Sequence, residues 1–136
     1  MNKIARQAVI IIATLTYSSF IFGQVRGDEV LDLRSDLELV KEYWELDGWP
    51  NPKYPSSTLR LEITYCVLYS VTITNQSEPS NIQLESSHPK GKYLGITERA
   101  LKKYRWKATE ANKTLQPVRV YVMFWLSFND GEIKCT

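Results

Sequence analysis

The sequence predicts an α+β domain in which a three-stranded antiparallel sheet buries one face against a single helix, in the order strand, strand, helix, strand. Residues 62–74 and 118–128 alternate apolar and polar side chains and are rich in β-branched and aromatic residues, the period-two signature of half-buried strands. Between them Leu94, Ala100, Leu101 and Tyr104 form an apolar stripe flanked by basic residues, as an amphipathic helix requires. A sheet and a helix that are each apolar on one side bury those sides against each other in two layers. At 136 residues, with 43% hydrophobic and 24% charged residues, the chain has room for one such domain.

The chain starts with the basic residues Lys3 and Arg6, and Ala8 to Phe22 follows as an uncharged run of apolar and small residues. That run is shorter than the ~20 residues a membrane-spanning helix needs. Ser18, Ser19 and Gly23 near its end suit cleavage, so residues 1–24 read as a signal peptide or a short membrane anchor. Either reading places the remainder in the periplasm. Without Lys3 and Arg6 the 17 basic residues fall to 15, against 15 acidic ones. Overall charge therefore predicts no nucleic-acid partner.

From Asp28 to Leu46, the residues Leu33, Leu37, Val40 and Trp44 recur at helical spacing, so residues 25–48 are expected to form a helical or spacer segment. Pro50, Pro52 and Pro55 then enforce an extended course into the main domain, residues 49–130. In the first strand Ile63, Tyr65, Val67, Tyr69, Val71 and Ile73 share one face. Asn75 to Ser80 is turn chemistry, and Ile82 and Leu84 alternate with Asn81, Gln83 and Glu85 as a second strand, completing a hairpin. A loop from Ser86 to Gly91 precedes the helix, which is expected to end near Trp106. In the last strand, Val118 to Phe128, Val120, Val122, Phe124 and Leu126 face one way, and Arg119, Tyr121, Met123 and Trp125 the other. Residues 131–136 are expected to be a tail.

Strand direction then places the first strand in the centre of the sheet and the last strand on an edge. An edge strand leaves a row of main-chain groups unpaired, which proteins either blunt or use. Here only Arg119 supplies a guarding charge, so the edge is able to accept a strand from a partner or from a second copy. Alternatively, Tyr121 and Trp125 pack beneath the N-terminal helix.

Three separated features resemble the C-terminal domain of TonB: the run Asn51-Pro52-Lys53-Tyr54-Pro55, the hairpin that follows it, and Ala100-Leu101-Lys102-Lys103-Tyr104-Arg105-Trp106. The likeness spans about Trp49 to Phe128. It implies a ββαβ fold and a periplasmic protein-binding domain that adds a short segment of an outer-membrane receptor as a strand. That role is linked to energised nutrient uptake such as iron–siderophore transport. Carried over residue by residue, the receptor-contacting stretch is Asn51, Pro52, Tyr54 and Pro55, with Asn51 where the family has glutamine. The strand-accepting edge is Val118, Arg119, Val120, Tyr121, Val122, Met123, Phe124 and Trp125.

The sequence also departs from that family. Full transducers couple to the ExbB and ExbD motor through a membrane helix carrying a histidine, whereas residues 1–30 contain none, and only about 25 residues, ~90 Å if fully extended, precede the domain. These features speak against motor coupling and leave a receptor, another envelope protein or a second copy as the expected partner.

No residues point to catalysis, a cofactor or a metal. There is no CxxC spacing, and His88 is the single histidine. Cys66 lies within a strand, and nothing in the sequence places His88 within reach of it as a base. An oxidising compartment permits a bridge between Cys66 and Cys135. The basic cluster of Arg99, Lys102, Lys103, Arg105 and Lys107 reads as the solvated face of a helix.

Overall fold

A computed structural model of the chain describes residues 29–128 and Cys135. The segment expected to direct export, residues 1–24, lies outside the described residues, as does most of the tail.

The main sheet has four strands rather than three. In chain order its members are β1 (Leu31–Asp32), β3 (Tyr65–Ile73), β4 (Pro79–His88) and β6 (Val118–Leu126), arranged β1-β6-β3-β4. β3 lies in the centre and runs antiparallel to both β4 and β6. The alternation of its side chains places Tyr65, Val67, Tyr69, Val71 and Ile73 on one face, each at most 2% exposed. β6 matches it with Val118, Val120 and Phe124 buried. The second strand runs longer than its apolar alternation suggested, because the ladder continues through the polar residues Ser86, Ser87 and His88.

The helix that covers this face, α3 (Leu94–Leu101), buries Thr97, Ala100 and Leu101. It is tied to the sheet by the Tyr69 hydroxyl, which donates to the Leu94 carbonyl at 3.1 Å and lies 2.9 Å from the Thr97 hydroxyl. α3 stops at Leu101, not near Trp106. A tight turn follows, in which Tyr104 N–H donates to the Leu101 carbonyl, and Trp106 opens a further strand, β5 (Trp106–Ala108).

The leading segment is not one helix. Asp36 interrupts it by capping α1 (Leu37–Tyr43), its carboxylate accepting the Leu39 N–H at 3.0 Å. Before that break β1 joins the main sheet, pairing parallel with β6. After it β2 (Trp44–Leu46) pairs antiparallel with β5. The resulting ribbon carries Trp44 and Trp106 into the core, and the Trp44 indole donates to the Gln116 carbonyl at 2.8 Å. Buried Asn112 fastens the same region by donating to the Tyr43 carbonyl at 3.0 Å and accepting the Gln116 N–H. A short helix, α2 (Ser56–Arg60), follows the proline-rich stretch.

Candidate functional site

Two strands of the main sheet lie at its rims, β4 on one side and β6, largely, on the other. They differ in how readily they accept a further strand. β4 begins at Pro79, carries Asn81 at φ 47°, and shifts register twice against β3. A proline, a left-handed residue and bulges are the devices that blunt an exposed edge. β6 has none of them, and all nine of its residues pair with β3 in an unbroken register from Tyr65↔Leu126 to Ile73↔Val118.

Part of the β6 rim is occupied by the chain itself. Leu31 N–H donates to the Pro117 carbonyl at 3.0 Å, and Leu33 N–H to the Arg119 carbonyl at 2.9 Å. Val118 and Arg119, expected to be part of a free edge, are therefore covered by β1. Beyond Arg119, no strand among the described residues pairs with the outer side of β6. Main-chain direction alternates along a strand, so the outward carbonyls at 117 and 119 imply that Tyr121, Met123 and Trp125 also turn their N–H and C=O outward. The even-numbered residues Val120, Val122 and Phe124 give theirs to β3.

Arg119 does not guard this rim. Its guanidinium folds inward over the second face of the sheet, donating to the Thr72 hydroxyl (3.1 Å), the Ser70 hydroxyl (2.7 Å), the Gln83 side-chain carbonyl (2.8 Å) and the Asn81 main-chain carbonyl (3.2 Å). The Ser70 hydroxyl in turn donates to the Glu85 carboxylate. The only expected guarding charge is thus used to satisfy buried hydroxyls of β3, and the edge beyond it carries apolar side chains.

A groove runs along the free part of the rim. Its first section, about 790 Å³, lies between β6 and the α1–β2 wall and is lined by Leu37, Trp44, Leu46, Trp49, Tyr121 and Met123, among others. Its second section, about 560 Å³, continues past Met123 and is lined by Asn51, Pro52, Tyr54, Phe124 and Trp125. Trp49, Tyr104 and Met123 line both sections. Trp49 is 60% exposed and Trp125 59%, a large apolar exposure of the kind that marks an interaction surface.

The structure thus brings together two stretches that are far apart in sequence, Asn51 to Tyr54 and Met123 to Trp125. Tyr54 anchors the first. Its ring centroid lies 5.1 Å from that of Tyr65 and 6.0 Å from that of Tyr93, and burial pushes its hydroxyl up to about 12. Pro55 lies outside the groove, at the start of α2. The sequence reading missed Leu37, Trp44, Leu46, Trp49 and Tyr104 as groove residues. Their only local signal is aromatic and leucine side chains flanking a proline-rich stretch.

At the covered end, Asp32 accepts three bonds from the Arg34 guanidinium, at 2.9, 3.2 and 2.6 Å, which hold its carboxyl down at about 2. The same guanidinium lies 5.7 Å from the Tyr121 ring centroid. β1 and the groove are therefore joined through one cation.

On the second face Cys66 is bonded to Cys135, their Cα atoms 5.4 Å apart. His88 is the register partner of Cys66, closer than the sequence suggested, but the bonded sulfur is no free nucleophile. Among the described residues no group of three His, Cys, Asp or Glu side chains converges as a metal site, and no helix is long and apolar enough to cross a membrane.

Compared with solved structures, the fold is similar to the solution NMR structure of the Pseudomonas aeruginosa TonB CTD, with a TM-score of 0.52 and 18% sequence identity. The match covers 65% of this chain and 90% of that one. Neither a family model nor a curated protein matches the sequence. The likeness is one of fold.

Proposed function

We propose that this chain is a protein-binding domain of the bacterial periplasm that takes an extended segment of an envelope partner as an added strand on β6, between Tyr121 and Leu126. The observation that carries the reading is the contrast between the rims: β4 is blunted, whereas β6 beyond Arg119 is regular, has no partner strand on its outer side among the described residues, and is bordered by an apolar groove. Strand addition supplies affinity through main-chain bonds and selectivity through alternate side chains in flanking pockets. The groove offers such pockets beside Trp44, Trp49 and Trp125. The TonB-like fold favours a TonB-dependent outer-membrane receptor as the partner, and the basic and apolar N-terminal residues favour export, with or without retention as an inner-membrane anchor. The proposal includes no catalytic step and no coupling to a proton-driven motor.

A peptide carrying a receptor's TonB-box segment, titrated into the 15N-labelled chain, is expected to shift the amides of Tyr121, Met123 and Trp125 first. Unmoved resonances at millimolar peptide overturn the reading. Sedimentation of the free chain tests the competing use of the same rim: a tight dimer whose edge amides are protected from exchange would replace receptor binding with self-association.

A further inference from the structure

The short helix α2 is built the wrong way round for a packing element. An amphipathic helix hides its leucines and exposes its polar residues. α2 instead buries only Thr58, leaving Leu59 52% exposed and Leu61, the residue that ends it, 64% exposed. Neither leucine joins the core or lines either section of the groove. The turn that presents them is closed by its own main chain, Leu61 N–H donating to the Ser57 carbonyl at 3.0 Å and Thr58 N–H to the Pro55 carbonyl at 2.9 Å. The Thr58 hydroxyl donates to the Tyr93 hydroxyl at 3.2 Å, which sets α2 against the loop leading into α3. Tyr93 in turn packs on buried Tyr65, their ring centroids 4.8 Å apart. The leucines are therefore held outward on a fixed platform.

Cations accompany them. Arg60 lies between the two leucines, and Lys90 and Lys92 belong to the loop that α2 touches. All three are exposed, and none has a carboxylate within ion-pair distance among the described residues. Glu62 is the only acidic residue in the stretches 48–77 and 86–97 that form this end of the molecule. Outward leucines beside unpaired cations match a surface that is anionic at its face and apolar just beneath it, where long basic side chains reach the headgroups and leucines pass between them. We infer that this end of the domain rests on a phospholipid bilayer bearing anionic headgroups, with Leu59 and Leu61 entering the acyl boundary and Arg60, Lys90 and Lys92 meeting the phosphates. The periplasm proposed above is bounded by such surfaces. Because the leucines lie off the groove along β6, the inference stands apart from strand addition.

The test places a polarity-sensitive fluorophore on α2 through Ser57→Cys in the full chain, where Cys66 and Cys135 are bonded to each other. Reading α2 locally keeps the apolar N-terminal run from deciding the result. Vesicles of phosphatidylglycerol and phosphatidylethanolamine are expected to shift the emission to the blue, with half of the change needing about tenfold less lipid than with phosphatidylcholine. L59Q/L61Q should lose the shift, and R60Q/K90Q/K92Q should lose the preference for anionic lipid. Both variants should keep the parent chain's urea midpoint, since all five side chains are exposed. Emission unmoved by anionic vesicles, or moved equally in L59Q/L61Q, overturns the inference and leaves strand addition standing. A blue shift that grows with protein concentration in the absence of lipid assigns the leucines to a second copy and overturns it as well.

Discussion

Replacing Met123 by proline, and separately Val122 by proline, tests the direction of the main-chain groups on which the groove's use depends. The N–H of Val122 belongs to the ladder with Tyr69, a residue only 2% exposed in the middle of β3. Val122→Pro removes that donor and drives the ring into the neighbouring strand, a loss taken to be of the same order as for proline in a helix interior, about 3 kcal/mol. It also leaves a buried carbonyl unpaired, at a further cost of about 1–3 kcal/mol. Met123 N–H points away from β3, so Met123→Pro breaks no described ladder bond and leaves only the φ restriction, on the order of 1 kcal/mol. With a urea m-value of about 1.5 kcal/mol/M, the Val122 variant should unfold at a midpoint about 2–3 M below that of the Met123 variant. The assay is urea denaturation followed by far-UV circular dichroism, with the TonB-box titration repeated on the folded Met123 variant. That variant should stay folded yet bind at least tenfold more weakly, because the incoming strand loses a donor and meets a ring. If both prolines destabilise the chain equally, Met123 N–H has a partner and the rim is not free. The strand-addition reading then fails.

The remaining predictions concern the scaffold. Leu101 is fully buried beneath the sheet, so Leu101→Ala should cost about 2–5 kcal/mol in urea denaturation. Reduction of the Cys66–Cys135 bridge, which spans 69 residues, should lower stability by about 4 kcal/mol on loop entropy, read as the shift in midpoint with and without dithiothreitol. Asp32 is held at about 2 in the folded chain against 3.8 ordinarily, so its contribution is complete above pH 4 and disappears as pH falls through about 2; Arg34→Gln should return its NMR titration midpoint toward the ordinary value.

The two nine-residue strands were legible because both faces of period two are used in full: the odd positions of β3 are almost inaccessible, and the even positions of β6 meet them. The end of α3 was not. Tyr104 and Trp106 continue an apolar spacing that suits a helix, but both are buried by contacts made elsewhere in the chain, Tyr104 against Phe124 and Trp106 in the β2–β5 ribbon. Nothing local distinguishes those outcomes. The 28–46 stretch misled in a similar way, since Leu33, Leu37, Val40 and Trp44 keep helical spacing although only Leu37 and Val40 are in α1. Its Ser35-Asp36 pair is a cap signal that marks where the helix starts, whereas the two residues of β1 form a strand only because an edge exists beside them. For the site, the Asn51 to Tyr54 stretch and the edge were both readable. Their convergence around Met123 was not, and neither was the inward turn of Arg119, which depends on hydroxyls of the neighbouring strand and carbonyl oxygens of the strand beyond it.

The short parallel strand at Arg119 also limits what the neighbouring rim is able to hold. It acts as a doorstop: a visiting polypeptide slides no further along β6 than Tyr121 and finds only about 20 Å of rim before Leu126. Alignment is thereby set by an obstruction at one end, so an otherwise featureless visitor comes to rest in one position.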